Sequence, residues 1–210
     1  MLISQIYHKY QIPKNLQRHM LEVAAVASYL VDNTENDKVD KQTVVETALL
    51  HDMGNIVKFK DFISPQMKMG EDYWRKVQKK FIQKYGESAH QATIKIIKEI
   101  NLVNEKSVIN LLEKVGYTAI IKNGYISLES RICDYADMCV SPLGIVGFNK
   151  RIEDLLERYN LDLNDRGTKI RHDNSLELQK SIQTDLKNIP KQDFSDLIKS
   201  LSEYDISLKV

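Results

Sequence analysis

Ala48-Leu49-Leu50-His51-Asp52-Met53-Gly54-Asn55 places a histidine and an aspartate at the end of a strongly apolar run, with a glycine close behind. Adjacent residues lie about 100° apart around a helix, so both side chains reach one pocket only at a helix's edge or end. Gly54 is expected to supply that end. Imidazole nitrogen and carboxylate oxygen are both good ligands for divalent metals. The competing reading is a histidine in a routine buried hydrogen bond beside a solvated aspartate. The chain carries its own comparison, because His172-Asp173 is a second such pair. That pair follows a polar stretch, residues 165–171, without apolar backing, and reads as surface. The setting carries the weight, and the dipeptide alone carries none.

Outward from this run, apolar residues recur mostly at helical spacing, while glycine and proline are scarce. Leu16, Met20, Val23, Ala27 and Leu30 mark one amphipathic helix from Asn15 to Val31. Asp40 is a good N-cap for the helix that leads to His51. A helix from about Glu71 to Tyr85 stops at Gly86, and Ser88 with Gln91 has capping-box spacing for the next. Asn104 starts another, which ends near Gly116. Residues 117–125 are the one place where extended structure is expected, since Asn123-Gly124 signals a turn. Ser127 caps a helix carrying Ile132, Cys133, Ala136 and Val140, and Pro142 prevents its continuation. A helix with Ile152, Leu155 and Leu156 follows, then an irregular polar stretch over residues 160–174. Two last helices, near residues 176–186 and 194–204, form a small C-terminal addition whose apolar faces suit either core closure or a homodimer. The fold class is all-α.

His19 shares a helical face with Leu16, Val23 and Val26, so its ring points inward. On the helix from Ser127, Asp137 falls with Cys133 and Val140, whereas Asp134 falls with Ser130, Arg131 and Met138. Periodicity therefore turns Asp137 toward the core and leaves Asp134 nearer the rim. An unpaired buried carboxylate is costly, so Asp137 needs a partner: a metal, or a cation such as Arg131. His90 is the second residue of its helix, where backbone N–H groups favour anions. It reads as a further metal ligand, a phosphate contact or a plain helix-end histidine, with the phosphate contact preferred. His8 has no supporting pattern.

The 210 residues suffice for a substantial core, and a formal charge of +1 argues against an extended nucleic-acid surface. Cys133 and Cys139 have neither zinc-ribbon nor disulfide-scaffold spacing and read as core thiols. No apolar run approaches a membrane span, and residues 1–5 lack the zones of a signal peptide, so a cytoplasmic protein is expected.

Together, His19, His51-Asp52 and Asp137 resemble the signature of the HD-domain superfamily of metal-dependent phosphohydrolases. Residues 18–24, 48–54 and 131–137 supply the context, with Ala136-Asp137 matching the small residue and aspartate of the last motif. The resemblance implies an HD-domain-like helical bundle over residues 1–160, with a helical extension over 161–210 that receives no function from it. It also implies one divalent cation (Mn, Fe, Co, Ni, Zn or Mg) held by His19, His51, Asp52 and Asp137. Two-metal members use two further histidines, and His90 is the one candidate here. Relatives often carry Lys or Glu where Asn55 stands, so a general base must come from elsewhere.

The expected reaction is hydrolysis of a small phosphoester, such as a nucleotide, by water activated on the cation, with Asp52 also orienting that water. His90 and Lys58 are expected to contact the phosphate, with Arg18 and Arg131 as other clamps. Glu87 and Asp134 are the candidate proton acceptors. The rival readings are a regulatory protein that binds a nucleotide without hydrolysing it, and a di-iron oxygenase, which the ligand count disfavours.

Overall fold

The computed structural model describes residues 1–34, 38–62, 69–116, 127–185 and 208. Nine α-helices run through these residues: α1 (Ile3–Lys9), α2 (Lys14–Asp32), α3 (Lys41–Leu50), α4 (Glu71–Tyr85), α5 (Ala89–Ile100), α6 (Glu105–Leu112), α7 (Leu128–Asp137), α8 (Phe148–Arg158) and α9 (Arg166–Asp185). A 3-10 turn, Asn55–Lys58, follows α3. Two-residue strands β1 (Val140–Ser141) and β2 (Gly144–Ile145) pair antiparallel, with Val140 opposite Ile145 and Ser141 opposite Gly144. Among the described residues the fold is all-α apart from this hairpin.

α2 is the central element. Its apolar stripe is joined by Ala24, Ala25, Val26 and Val31, so most of its circumference is buried. Such a helix must be covered on several sides, and α3 and α7 pack along it. Asp40 caps α3 as its residue type foretells, accepting the Thr43 N–H at 3.2 Å. Tyr7 on α1 donates its hydroxyl to the Leu49 carbonyl at 2.7 Å and holds the end of α3 in place. Gln78 on α4 donates to the carbonyls of Ile56 and Phe59 at 2.8 and 2.9 Å, which fixes the 3-10 turn. Among the described residues no helix is long and apolar enough to cross a membrane.

Three local expectations need correction. α3 ends at Leu50, before Gly54, and Gly54 has φ −89°, which leaves no left-handed cap there. Its lack of a side chain serves packing, because a Cβ would stand 2.1 Å from the Ala89 carbonyl oxygen on α5. α7 stops at Asp137 instead of reaching Val140, and the chain turns into the hairpin at Pro142-Leu143, with Gly144 at φ +114°. The expected extended structure at residues 117–125 lies outside the described residues. Residues 166–174 are helical, as the first half of α9. Asp165 starts that helix by accepting the Gly167 N–H, and Leu178 and Ile182 anchor it in the core. A polar first half becomes helical because its second half is packed. The expected last helix, near residues 194–204, lies outside the described residues.

Candidate metal centre and cleft

Three helix ends meet at one point. His19 comes from the second turn of α2, His51 from the C-cap of α3, and Asp137 from the last residue of α7. Their ligand atoms lie within 4.8 Å of one another, a group that could hold a metal ion. His19 Nε2 is 3.0 Å from Asp137 Oδ1, and His51 Nε2 is 3.8 Å from the same oxygen. Asp52 joins them, with Oδ2 at 3.7 Å from His19 Nε2 and 3.6 Å from His51 Nε2. Two adjacent residues face one point here because the helix has already ended: His51 begins the turn that leads through Gly54 into the 3-10 segment.

The donor atoms suit a cation. His51 Nδ1 is 2.8 Å from the Ala48 carbonyl. A carbonyl only accepts, so Nδ1 carries a proton, and in the neutral ring Nε2 presents a lone pair. That Nε2 is buried and has no hydrogen-bond partner among the described residues. Ligands about 2.1 Å from a central ion stand roughly 3.0–3.4 Å apart in octahedral or tetrahedral arrangements; the 3.0 Å His19–Asp137 separation matches, and the separations of 3.6 to 3.8 Å would close slightly around an ion. The charges agree with this. Burial opposes a charged His19, yet the Asp137 hydrogen bond and the Asp137 and Asp52 charges outweigh it and raise its pKa. The surroundings resist the Asp137 carboxylate in turn, but His19, His51 and Arg151 hold its pKa well below the usual carboxylate range.

The centre opens into a cleft of about 660 Å³. His51, Asp52, Asn55, Lys58, His90 and Glu113 bring polar groups to its walls, and Ala48, Leu112, Val115 and Cys133 bring apolar ones. Lys58 is exposed at the end of the 3-10 turn. His90 lies near the start of α5, with Nε2 3.3 Å from Oε2 of Glu113, the C-cap of α6. Both thus reach the cleft, away from the ligand cluster. Arg18 instead pairs with Glu22 at 2.7 Å and Arg131 with Asp185 at 2.5 Å, so both cations are engaged elsewhere. His172 and Asp173 sit on α9, far along the chain from the cluster, with Asp173 exposed.

Asp134 and Asp137 exchange the places that periodicity assigns them. Asp134 is 8% exposed, whereas the Asp137 side chain is 47% exposed. Asp137 ends its helix at the cleft, and Asp134 lies beneath Gly116, whose N–H it accepts at 2.7 Å. Burial pushes the Asp134 pKa up to about 7, the Gly116 hydrogen bond acting against it and the Asp137 charge with it. Its folded pKa thus exceeds the unfolded value, so the native state holds a proton that the unfolded chain releases. Stability falls as pH rises from about 4 through about 7, and the cost is complete above that. Asp134→Asn is therefore expected to raise stability by on the order of 2 kcal/mol at pH 8 and by little at pH 4. Urea denaturation of chelator-treated protein at both pH values checks this, and equal effects at the two would refute it.

Two supporting residues carry no motif in the sequence. Thr93 on α5 accepts the Gly54 N–H at 2.9 Å and donates to the Ala89 carbonyl at 3.0 Å, which fixes the His51-Asp52 turn. A hydroxyl among apolar positions of α5 was the available signal. Arg151 on α8 acts on both His19 and Asp137 through its charge, and Asp154 holds its Nη1 at 2.6 Å. Nothing local in the sequence points from α8 to the cluster.

A family model, the HD domain, matches residues 16–140, and the chain belongs to that family, one of metal-dependent phosphohydrolases. The match starts just before His19 and ends just after Asp137, enclosing the whole cluster. No curated protein and no solved structure matches the chain.

Proposed function

We propose that this protein is a metal-dependent phosphohydrolase that acts on a nucleotide or another small phosphoester. The observation that carries the reading is the convergence of the His19, His51 and Asp137 ligand atoms, with Asp52 Oδ2 within 3.7 Å of both imidazoles and the buried Nε2 of His51 left without a partner among the described residues. His19, His51, Asp52 and Asp137 would hold one divalent cation. Bound there, such a cation supplies Lewis acidity toward water and toward a phosphoryl oxygen. The chain's own groups do the rest. His51 is fixed in one tautomer by Ala48, and Asp52 orients the attacking water by hydrogen bonding. Lys58 and His90 face the phosphate from the cleft walls, and a phosphate would take His90 from Glu113.

Metal analysis of the purified protein, followed by a screen of phosphoesters for phosphate release, tests the proposal. A metal-loaded protein that releases phosphate from none of them would overturn it. His90→Ala and Lys58→Ala are each expected to raise KM about tenfold, as the loss of one charged hydrogen bond to phosphate requires. Steady-state kinetics would read this, and an unchanged KM would remove that residue from the substrate site.

Asn55 favours a second reading. It lines the cleft beside the cluster and cannot exchange a proton, as a regulatory protein that only binds nucleotides would allow. Stabilisation by a nucleotide that stays intact for hours would select this reading over hydrolysis.

A further inference from the structure

Asp134 stands three residues before Asp137 on α7, about 4.5 Å back along the helix at 1.5 Å per residue. It shares the cleft with the ligand cluster. One of its oxygens is committed: Oδ1 accepts the Gly116 N–H. The other is not, because Oδ2 is buried and has no hydrogen-bond partner among the described residues. The residue is more than nine-tenths buried, at 8% exposure. A buried acceptor without a donor is costly, and low polarity around it makes the missing bond worth more. Cys133, Leu112 and Val115 supply such surroundings on the same cleft. A few placed polar groups among apolar walls is how small-molecule sites select orientation and identity.

We propose that Asp134 Oδ2 is a specificity-determining acceptor for a hydroxyl or amino hydrogen on the organic part of a phosphate ester. The position of the phosphate, at the His51 and Asp137 end, rests on the phosphohydrolase reading, whereas the binding of the donor does not. An ester lacking the donor leaves Oδ2 unpaired and is rejected, the strongest form of discrimination a buried polar group provides. The substrate class is thus a phosphomonoester of a nucleoside or another hydroxylated or aminated group, in preference to an apolar ester.

Asp134→Asn isolates the atom in question. Its amide oxygen can keep the Gly116 bond, while NH2 replaces Oδ2 and donates where the carboxylate accepted. Binding and kcat/KM are measured at pH 8, where the Asp134 side chain is ionised and Oδ2 accepts, on the metal-loaded full chain for adenosine, guanosine, cytidine and thymidine 5′-monophosphates. p-Nitrophenyl phosphate, which carries no hydroxyl or amino group, is the reference. The wild type is expected to favour its best nucleotide by at least about tenfold, and Asp134→Asn to lower that preference about tenfold or more at unchanged metal content. Loss of binding and turnover by one common factor for all ligands would overturn the inference.

Should Asp134→Asn not fold, the wild type is tested on p-aminophenyl against p-nitrophenyl phosphate and on each nucleotide against its 2′,3′-dideoxy form. Less than about threefold discrimination in every pair overturns the inference. A wild type that binds none of the panel does the same. Binding with the expected preference but without phosphate release would sustain it and overturn hydrolysis alone.

Discussion

His51→Ala and Asp52→Ala are each expected to strip the protein of its divalent cation and to lower phosphate release at least about 10³-fold. His51 provides the one buried ring nitrogen of the cluster that has no other partner, and Asp52 provides the carboxylate oxygen closest to it. Neither can be replaced from nearby. His90, the remaining histidine of the cleft, pairs with Glu113 at the end of α6. Lewis-acid stabilisation of a phosphoryl transition state is worth several kcal/mol, which sets the thousandfold scale. Metal analysis and activity should fall together. His172→Ala and Asp173→Ala form the matched control, since that pair lies on α9, and full activity and metal content are expected. Full activity in His51→Ala or Asp52→Ala would defeat the proposed function.

Gly54→Ala is expected to cost about 3 kcal/mol or more of stability, at the upper end of what overpacking does. The backbone there, at φ −89°, accepts any residue, so the cost is purely one of space. An added Cβ would stand 2.1 Å from the Ala89 oxygen, 2.8 Å from the Thr93 nitrogen and 2.9 Å from Ala92 Cβ. Two of these atoms are backbone and cannot turn aside. α5 would have to withdraw, breaking the Gly54 N–H bond to Thr93 and releasing the turn that aims His51 and Asp52. Metal affinity should therefore fall along with stability. Urea denaturation and metal titration of the variant test both, and a stability loss below about 1 kcal/mol would show that α5 has room to move.

Much of this was legible in the residues. The stripe on α2, the Asp40 cap, the bounds of α4 and the inward face of His19 follow from side-chain type and spacing, which act within a few residues. His19, His51, Asp52 and Asp137 could be picked out because each is a polar group on an apolar segment. Where local signals failed, a distant partner was the reason. The polar start of α9 is helical because Leu178 and Ile182 are buried against the rest of the chain. Arg18 and Arg131 look like free phosphate clamps until Glu22 and Asp185 are seen to hold them.

The sequence by itself determined the helical class, the HD-domain character and the kinds of atom available to a metal, since periodicity and capping are properties of neighbouring residues. Only the tertiary structure decided which atoms share a point and which are hidden. Periodicity reports an angle about a helix's own axis and says nothing of what is packed over that face. Hence Asp134, set nearer the rim by its helix, is buried under Gly116, while Asp137 opens to the cleft. Gly54 is another case: its meaning lies in the distance to α5, 39 residues away in the chain at Thr93.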